Sequence, residues 1–502
     1  MAEREILSLD KLDPPREWSP WEPTAKDPWN LKWVGHLYRR AGFGASMRTL
    51  RMAVDQGLEA TIKNLLSGST GADSRGLEKI LRDTASAAQQ PDAVQRYGTG
   101  ELQGWWVKSI LAEETSPLRE KMTLFWHNHF ATSIAKVQRP FAMLNQNKTQ
   151  RYYALSKFGP LLMSMSKDGA MLLYLDSNSN VKDAPNENYA REVMELFSLG
   201  VGNYTEKDIQ EAARAFTGWH VDGDDYAFKA ELHDFKPKKV LGKEGDLNGD
   251  HVVKVLLEQP ACARFIVRKV YRNFVSETTE PPDALLEPLA ERYRKSNYDS
   301  GDLMKTILTS KHFYSDHAYR QRIKAPVEFV FGVVNAMRFG SFMPPEKPLV
   351  GIMEAMGQTL FAPPNVKGWP GGRAWLNTST VLARHNFAQR AASAQWPENT
   401  YNGSALLNPD AITNPDGSPI DSDDPPEGVC DVAQFIRKEK CKNAEETVDR
   451  LIDLLLQGSV RPEARAHVIE FMTEAKTDFA SHDARVRATA HAIMTLPEYQ
   501  LA

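Results

Sequence analysis

The feature that most constrains the fold is a helical spacing of apolar residues that recurs along most of the chain. Apolar side chains return three and four positions apart, which is the repeat of an amphipathic α-helix. These stretches are 47–66, 103–113, 118–130, 152–165, 187–199, 206–217, 252–274, 284–294, 302–314, 326–338, 351–360 and 446–456. Alternating strand patterns are scarce, and short candidates such as residues 239–241 would pair only as small hairpins. The sequence therefore predicts a mainly α protein.

With 502 residues, of which 42% are hydrophobic and 25% charged, the chain can bury a substantial core. We expect one large helical body with long irregular loops over residues 30–395, preceded by an extended arm at 1–29. Residues 396–445 begin with a run rich in Pro, Asn, Asp and Gly, which is typical of a linker. Residues 446–502 then form a C-terminal helical segment that packs on the core. Residues 218–250 mix Gly, Asp and aromatic residues and predict a functional loop or a small β excursion.

Composition and missing motifs exclude several classes of protein. The net charge of −4 argues against a nucleic-acid binder, which usually carries a basic excess. The three cysteines form no metal-binding or haem-binding spacing, and no apolar run is long enough to span a membrane. No phosphate-binding loop, dinucleotide fingerprint or serine-hydrolase elbow is present. The N-terminus shows no export signal, so we expect a soluble, cytoplasmic protein.

A polar stretch at residues 175–192, LDSNSNVKDAPNENYARE, runs into a predicted helix. Its oxygen-bearing side chains occupy the first, third, fifth and twelfth places of an EF-hand loop, which binds calcium through hard oxygen ligands. These side chains are Asp176, Asn178, Asn180 and Glu187. The sixth place holds Val181 instead of the glycine that such a loop needs. The alternative is a polar turn in which Asn186 or a neighbour caps the helix.

The helix that follows places a carboxylate beside its apolar stripe. The stripe consists of Tyr189, Val193, Leu196 and Gly200. Glu192 lies at the edge of this stripe, where a carboxylate is costly unless it is paired or binds a metal ion. The sequence therefore predicts a partner for Glu192, either a metal ion or one of three arginines. The available arginines are Arg39, Arg40 and Arg214.

A second face of the same helix carries charges of both signs. Glu187, Arg191 and Glu195 follow one another at intervals of four residues, the spacing at which helical side chains form ion pairs. If Glu192 belongs to a catalytic site, Arg191 and Glu195 are placed to orient it from the neighbouring face.

Two histidines, His127 and His129, lie at the end of the predicted helix 118–130. His129 continues the apolar stripe of that helix, whereas His127 lies on a different side. They can bind one metal ion together only if the helix ends there. A buried His129 beside Glu192 would form a pair suited to metal binding or to acid–base chemistry. The alternative is a core histidine whose ring is satisfied by ordinary hydrogen bonds.

Residues 363–377, PPNVKGWPGGRAWLN, form a predicted loop held by proline and glycine. Five of its side chains could line a cleft for a sugar or an anionic group through stacking and hydrogen bonds. These are Asn365, Trp369, Arg373, Trp375 and Asn377. The alternative is a structural loop whose tryptophans fill the core.

Several long strings resemble one bacterial family, DUF1800, a domain of unknown function. They are HLYRRAGFGAS from His36, LREKMTLFWHNHFATS from Leu118, NENYAREVMELFSLGVGNYTEKDIQEAARAFTGW from Asn186, LLEQPACARFIVRKVYRNFVSE from Leu256 and LFAPPNVKGWPGGRAWLNTSTVLARHNFA from Leu360. The resemblance runs in order from about residue 30 to 390 and implies a mostly helical protein. Members are often exported and often encoded beside a DUF1501 protein, but the resemblance implies no reaction.

Two functional hypotheses follow. The first is a metal-assisted hydrolase or lyase that acts on a glycan or another polar polymer and uses calcium or a transition metal. Its site would bring His129 and Glu192 together with the loop at 363–377. The second is a non-catalytic partner or scaffold for a neighbouring enzyme of the DUF1501 type.

Overall fold

The computed structural model describes residues 8–68, 73–87, 91–112, 115–338, 344–394, 431–458, 460–474 and 481–502. Helices account for most of these residues, which confirms the prediction of a mainly α protein. The first helices are α1 (Pro14–Glu17), α2 (Leu31–Arg40), α3 (Met47–Gln56), α4 (Leu58–Ser67), α5 (Arg75–Ala87), α6 (Pro91–Leu111), α7 (Pro117–His129), α8 (Ile134–Val137), α9 (Pro140–Tyr152), α10 (Phe158–Ser166), α11 (Gly169–Tyr174) and α12 (Asn188–Glu195). The later helices are α13 (Glu206–Ala215), α14 (Gly249–Glu258), α15 (Pro260–Phe274), α16 (Asp283–Lys295), α17 (Ser300–Leu308), α18 (Pro326–Ala336), α19 (Glu346–Ala355), α20 (Thr378–Ala392), α21 (Val432–Glu439), α22 (Ala444–Leu456), α23 (Pro462–Thr473) and α24 (His482–Thr495).

The chain divides into two compact units, and each is assembled from three separate stretches of sequence. Unit 1 comprises Met1–Trp21, Leu65–Phe313 and Phe361–Pro370. Unit 2 comprises Glu22–Asn64, Tyr314–Leu360 and Gly371–Ala502. Residues 30–395, predicted as one helical body, contribute to both units. Most of the predicted linker, residues 396–430, lies outside the described residues, and α21 occupies part of its remainder.

Two predicted helical stretches are each divided by a local backbone signal. The stretch 47–66 breaks at Gly57, whose φ of 82° lies in the left-handed region that favours glycine. The stretch 252–274 breaks before Pro260, which begins α15 because proline tolerates the first helical position but not the interior. The sequence predicted the helical character of both stretches correctly and missed these internal boundaries.

Within unit 1, residues 218–250 contain two short antiparallel hairpins, so the predicted β excursion is confirmed. Strand β1 (Trp219–Asp222) pairs with β2 (Asp225–Phe228), and β3 (Lys238–Val240) pairs with β4 (Lys243–Gly245). The first hairpin turn touches the start of α11 at Gly169. A Cβ atom there would lie 2.1 Å from the Asp224 carbonyl oxygen, so this contact requires glycine.

Residues 8–21 of the predicted N-terminal arm belong to unit 1 and are held there by main-chain and side-chain hydrogen bonds. The Trp18 indole donates to the Leu285 carbonyl oxygen of α16 at 2.7 Å. The Trp21 amide donates to the Thr309 carbonyl oxygen at 2.8 Å, just beyond α17. The arm contains the short helix α1, so it is partly helical where the sequence predicted an extended segment.

Unit 2 is built around α24. Helices α20, α21, α22 and α23 all pack on it, and its inward side chains include Val486, Ala490 and Ile493. The buried carboxylate of Asp431 binds the Arg487 guanidinium at 2.9 Å, which joins the start of α21 to α24. Among the described residues of both units, none of the helices is long and apolar enough to cross a membrane.

Candidate functional site

The end of α7 places His127 and His129 in the interior of unit 1. The helix begins with the Ser116 side chain accepting a hydrogen bond from the Arg119 amide, and it ends at His129. Both imidazole side chains are buried, with exposed fractions of 0% and 2%. The two side chains face different sides of α7. Among the described residues, no group forms a hydrogen bond to both imidazoles.

His129 binds two groups from other helices. Its Nε2 atom lies 3.0 Å from the Phe197 carbonyl oxygen, which follows the last turn of α12. Its Nδ1 atom lies 2.9 Å from the Nζ atom of Lys269 on α15. The same Nζ atom donates to the Leu196 carbonyl oxygen at 3.3 Å. His129 and Lys269 therefore join the ends of α7 and α12 to the middle of α15.

Burial sets the protonation states of this pair. The pKa of His129 falls well below its ordinary value, first because of burial and then because Lys269 is positively charged. A neutral His129 donates through Nε2 to Phe197 and accepts through Nδ1 from Lys269. Burial also lowers the pKa of Lys269 to about 7. Part of the Lys269 side chain stays open to solvent, and none of the described carboxylates lies within ion-pair distance of Nζ.

His127 lies in an aromatic box. Its ring centroid is 5.2 Å from that of Trp106, 5.4 Å from that of Phe361 and 5.7 Å from that of Trp369. Burial lowers the pKa of His127 to about 3, so the imidazole is neutral. Within the described part of the chain, neither ring nitrogen has a hydrogen-bond partner. The structure does not bring His127 and His129 together as the two ligands of one metal ion.

Glu192 does not form the predicted pair with His129, since both nitrogens of His129 bind other groups. The Glu192 side chain is half-buried on α12, and its pKa is raised by burial and by the charge of Glu195. Lys367 acts in the opposite direction, so this loop lysine lies within electrostatic reach of Glu192.

The three arginines that were predicted as partners of Glu192 do not pair with it. Arg214 instead binds Asp234 at 2.7 Å and Glu211 at 2.8 Å. Arg39 and Arg40 belong to unit 2. Among the described residues, Glu192 makes no ion pair. A carboxylate that keeps some exposure to water tolerates this arrangement, whereas a fully buried one would not.

The charged face of α12 agrees in part with its predicted pattern. Arg191 binds Glu187 at 3.0 Å, as the spacing of four residues predicted, and also Glu206 at 2.8 Å. Glu195 accepts a hydrogen bond from the Tyr204 hydroxyl at 2.9 Å instead of pairing with Arg191. This face stabilises the connection between α12 and α13 near the surface.

The first part of the predicted substrate loop, Phe361–Pro370, is docked on the end of α7. The Ile134 amide donates to the Phe361 carbonyl oxygen at 2.8 Å, and the Trp369 amide donates to the Asn128 Oδ1 atom at 2.7 Å. Asn365 is exposed, and its Oδ1 atom accepts from the Lys367 amide at 2.9 Å. Asn365 thus stabilises its own turn, and the Trp369 indole fills the box around His127.

The second part of that loop belongs to unit 2. Arg373 is exposed, whereas only 6% of Trp375 is exposed. The Asn377 Oδ1 atom accepts from the Thr380 amide at 3.0 Å and caps α20. The structure supports the packing alternative for both tryptophans, and a substrate-binding role for the five loop residues stays a prediction.

The predicted calcium ligands already accept hydrogen bonds or ion pairs from protein donors. Asp176 binds Lys136 at 2.9 Å, Asn178 accepts from the Val221 amide at 2.9 Å, Asn180 accepts from the Asn186 amide at 2.9 Å, and Glu187 binds Arg191. The Asn186 side chain in turn accepts from the Asn188 amide at 2.9 Å, where α12 begins. Nowhere in the described part of the chain do three or more His, Cys, Asp or Glu residues form a group that could hold a metal ion. The stretch 175–192 is a polar turn that leads into a helix.

Lys269 is the functional candidate that the sequence prediction missed. It stands three positions after Ile266 and four after Phe265, so a helix of this register turns it toward the packed side. Its Nζ atom lies 5.1 Å from the centroid of the Phe265 ring. The reasoning that singled out Glu192, a charge beside an apolar stripe, would also have identified Lys269.

These features define a class, a mainly α protein with a buried histidine–lysine pair at the junction of three helices. Residues 36–501 match the family described as "Protein of unknown function (DUF1800)", and the chain belongs to that family. No curated protein and no solved structure matches the chain.

Proposed function

We propose that the protein is a lyase or hydrolase acting on a glycan or another polar polymer, and that the Lys269 amine supplies its acid–base chemistry. The observation that supports this proposal is the environment of Lys269. Its Nζ atom lies 2.9 Å from a neutral histidine nitrogen, with no described carboxylate in ion-pair distance, and its pKa is lowered to about 7. An amine with such a pKa can accept and return protons near neutral pH. The proposal requires no metal ion.

In a lyase reaction, the neutral amine accepts a proton from a C–H bond next to a carboxyl or carbonyl group of the polymer. The electron pair of that bond forms a C=C double bond, and the C–O bond to the departing sugar breaks. The ammonium group then gives its proton to the departing oxygen. His129 is a positioning residue in this scheme, because its Nδ1 atom accepts a hydrogen bond from Nζ and holds the amine in place.

The state of the amine can be tested without a substrate. Amine-selective acylation at a series of pH values, read residue by residue by mass spectrometry, reports the fraction of each lysine that is neutral. Lys254 on α14 is exposed and serves as the internal control. We expect Lys269 to react with a midpoint near pH 7, well below the ordinary range of a lysine. A midpoint near pH 10 for Lys269 would remove the basis of the proposal.

The reaction can be tested on carboxylated polysaccharides such as alginate, pectin and hyaluronan. The double bond formed by a lyase absorbs ultraviolet light, and a hydrolase releases reducing ends instead. We expect the Lys269→Met variant to lose activity while its circular-dichroism spectrum keeps the helical signal, and the Lys254→Met variant to behave like the wild type. Equal activity of the wild type and Lys269→Met would contradict the role of the amine.

A second candidate function is a non-catalytic partner of a DUF1501-type protein. It is favoured by the contacts of His129 and Lys269 with the Phe197 and Leu196 carbonyl oxygens, because such contacts satisfy a helix end and hold three helices together. In that case wild-type protein cleaves none of the polysaccharides, Lys269→Met lowers stability, and the wild type co-purifies with the DUF1501-type protein when the two are expressed together.

A further inference from the structure

Unit 2 contains a small cavity that the proposed function does not use. Its volume is about 30 Å³, enough for one or two water molecules or one ion of similar size. The polar side chains that line it come from four parts of the unit. They are Arg39, Lys324, Glu328, Gln457 and Tyr499, and Ala502 lies beside them.

The first evidence for an excess of positive charge at the cavity is that Lys324 is buried without an ion pair in the described chain. Only 5% of the residue is exposed, and its Nζ atom lies 3.8 Å from the centroid of the Tyr499 ring. No carboxylate of the described chain lies within ion-pair distance of this Nζ atom. Burial lowers the pKa of Lys324, the charges of Arg39, Arg320 and Arg384 lower it further, and the charge of Glu328 acts in the opposite direction. Several cations therefore repel one another in a small buried volume.

The second line of evidence for an excess of positive charge is the environment of Arg384. It is fully buried, and its guanidinium donates to the Lys324 carbonyl oxygen at 2.7 Å and to the Gln500 side chain at 3.2 Å. Both partners are neutral, and its Nε atom has no hydrogen-bond partner among the described residues. Neither hydrogen-bond partner carries a charge, and Glu328 acts on Arg384 only from beyond ion-pair distance, so its charge is incompletely compensated.

The carboxylates nearby are already engaged by other arginines. Glu328 binds Arg322 at 2.9 Å, and its second oxygen accepts from the Ala325 amide at 2.8 Å. Glu498 binds Arg461 at 2.5 Å. Neither carboxylate lies within ion-pair distance of Lys324 or Arg384, and Glu328 attracts both of them from a longer distance.

We propose that this cavity binds one small inorganic anion of about the size of chloride. A buried positive charge without a counterion is costly, and a bound anion offsets that cost by direct attraction in a medium of low polarity. The volume of about 30 Å³ selects a small ion over a large organic acid. The amide group of Gln457 and the Arg39 guanidinium, which are hydrogen-bonded to each other, form one wall of the site.

The test is thermal unfolding in sodium chloride against sodium gluconate, at equal ionic strength, because gluconate is too large for the cavity. We expect chloride to raise the Tm of the wild type by about 2–4 °C, increasing with the logarithm of its concentration. The Lys324→Met variant should lose this response. Lys438→Met serves as the matched control, because Lys438 is an exposed lysine of the same unit, and it should keep the response.

A second variant keeps the proposal testable if Lys324→Met does not fold. Gln457→Glu introduces a carboxylate into the wall of the cavity, so the protein should become more stable without chloride and insensitive to its addition. An unchanged chloride response in Lys324→Met or in Gln457→Glu would overturn the proposal. So would the absence of any response in the wild type, which would mean that carboxylates already present, such as Glu328, balance the charge.

Discussion

Lys269 in unit 1 and Lys324 in unit 2 are both desolvated lysines with lowered pKa values, yet their surroundings differ. Lys269 donates to a histidine nitrogen and a main-chain carbonyl oxygen, both of which are neutral acceptors. Lys324 lies over the Tyr499 ring and among arginines, beside a cavity. The first amine is held in place by its partners, whereas the second lies near three arginines and has no carboxylate of the described chain within ion-pair distance.

The difference shows that desolvation of a lysine does not by itself indicate what the residue does. A buried amine with acceptors in place is positioned, and it exchanges protons near neutral pH without forcing its neighbours to move. A buried amine without acceptors makes a space beside it favourable for an anion. The decisive quantity is the set of atoms within hydrogen-bond distance of Nζ, which the local sequence does not encode.

The largest effect on stability should come from replacing His129, which accepts a hydrogen bond from the Lys269 amine. His129→Leu removes the partner of the Phe197 carbonyl oxygen and one of the two partners of Lys269 Nζ, so we expect the free energy of unfolding to fall by about 3 kcal/mol. Urea unfolding measures this change, and His482→Leu, at an exposed histidine, is the control. A loss below about 1 kcal/mol would show that water replaces the imidazole and that the pair holds no helices together.

Lys324→Met should change stability in the opposite direction. Methionine keeps most of the side-chain volume and removes a charge that Arg39, Arg320 and Arg384 repel. We expect the free energy of unfolding in gluconate to rise by about 1–2 kcal/mol. Urea unfolding of the variant and the wild type in the same buffer measures the change. A decrease of similar size would mean that Lys324 has a stabilising counterion, and the contrast with Lys269 would disappear.

The two lysines can also be separated by pH. Lys269 has a folded-state pKa of about 7, whereas in the unfolded chain it keeps a value near 10.5. Between these values the unfolded state binds more protons, so stability rises with pH. We expect the wild type to gain about 1 kcal/mol relative to Lys269→Met between pH 7 and pH 9, after allowing for solvent on the exposed part of the side chain. Parallel curves for the two proteins would place the folded-state pKa outside this range.

The smallest effect should come from Arg191, which the sequence placed in the catalytic site. Its ion pairs with Glu187 and Glu206 lie at the surface, so Arg191→Ala should cost less than about 1 kcal/mol. The acylation midpoint of Lys269 should not change in this variant. A shift of that midpoint would connect the charged face of α12 to the amine and restore Arg191 to the site.

The predicted helical stretches cover many of the helices with apolar cores, and the helices outside them include one whose core is largely polar. After the apolar first turns of α9, its buried residues are Gln146, Asn147, Gln150 and Arg151, so the apolar repeat does not continue along the helix. Its burial depends on partners elsewhere in the chain, such as Glu120, which binds the Arg151 guanidinium at 2.6 Å. Periodicity detects transfer of apolar area from water and cannot detect burial that is compensated by distant hydrogen bonds.

For the candidate site, the sequence could predict only those features that depend on a single helix. The position of His129 at the buried end of α7 follows from the stripe of that helix. Its partner does not, because Lys269 is 140 residues away in sequence and meets it only in the folded unit. Glu192 also lies beside an apolar stripe, but it is partly exposed to water and does not pair with a histidine. Local pattern identifies a costly group, and tertiary packing decides how the cost is met.

The interleaving of the two units has a consequence for the order of events during synthesis. Unit 1 receives its last stretch, Phe361–Pro370, only after the ribosome has translated residues of unit 2. Trp369 therefore cannot pack against His127 while the earlier residues of unit 1 leave the ribosome. Neither unit is a contiguous piece that could be translated, completed and released before the other. A chain stalled before residue 361 should expose the end of α7 to chaperones and proteases.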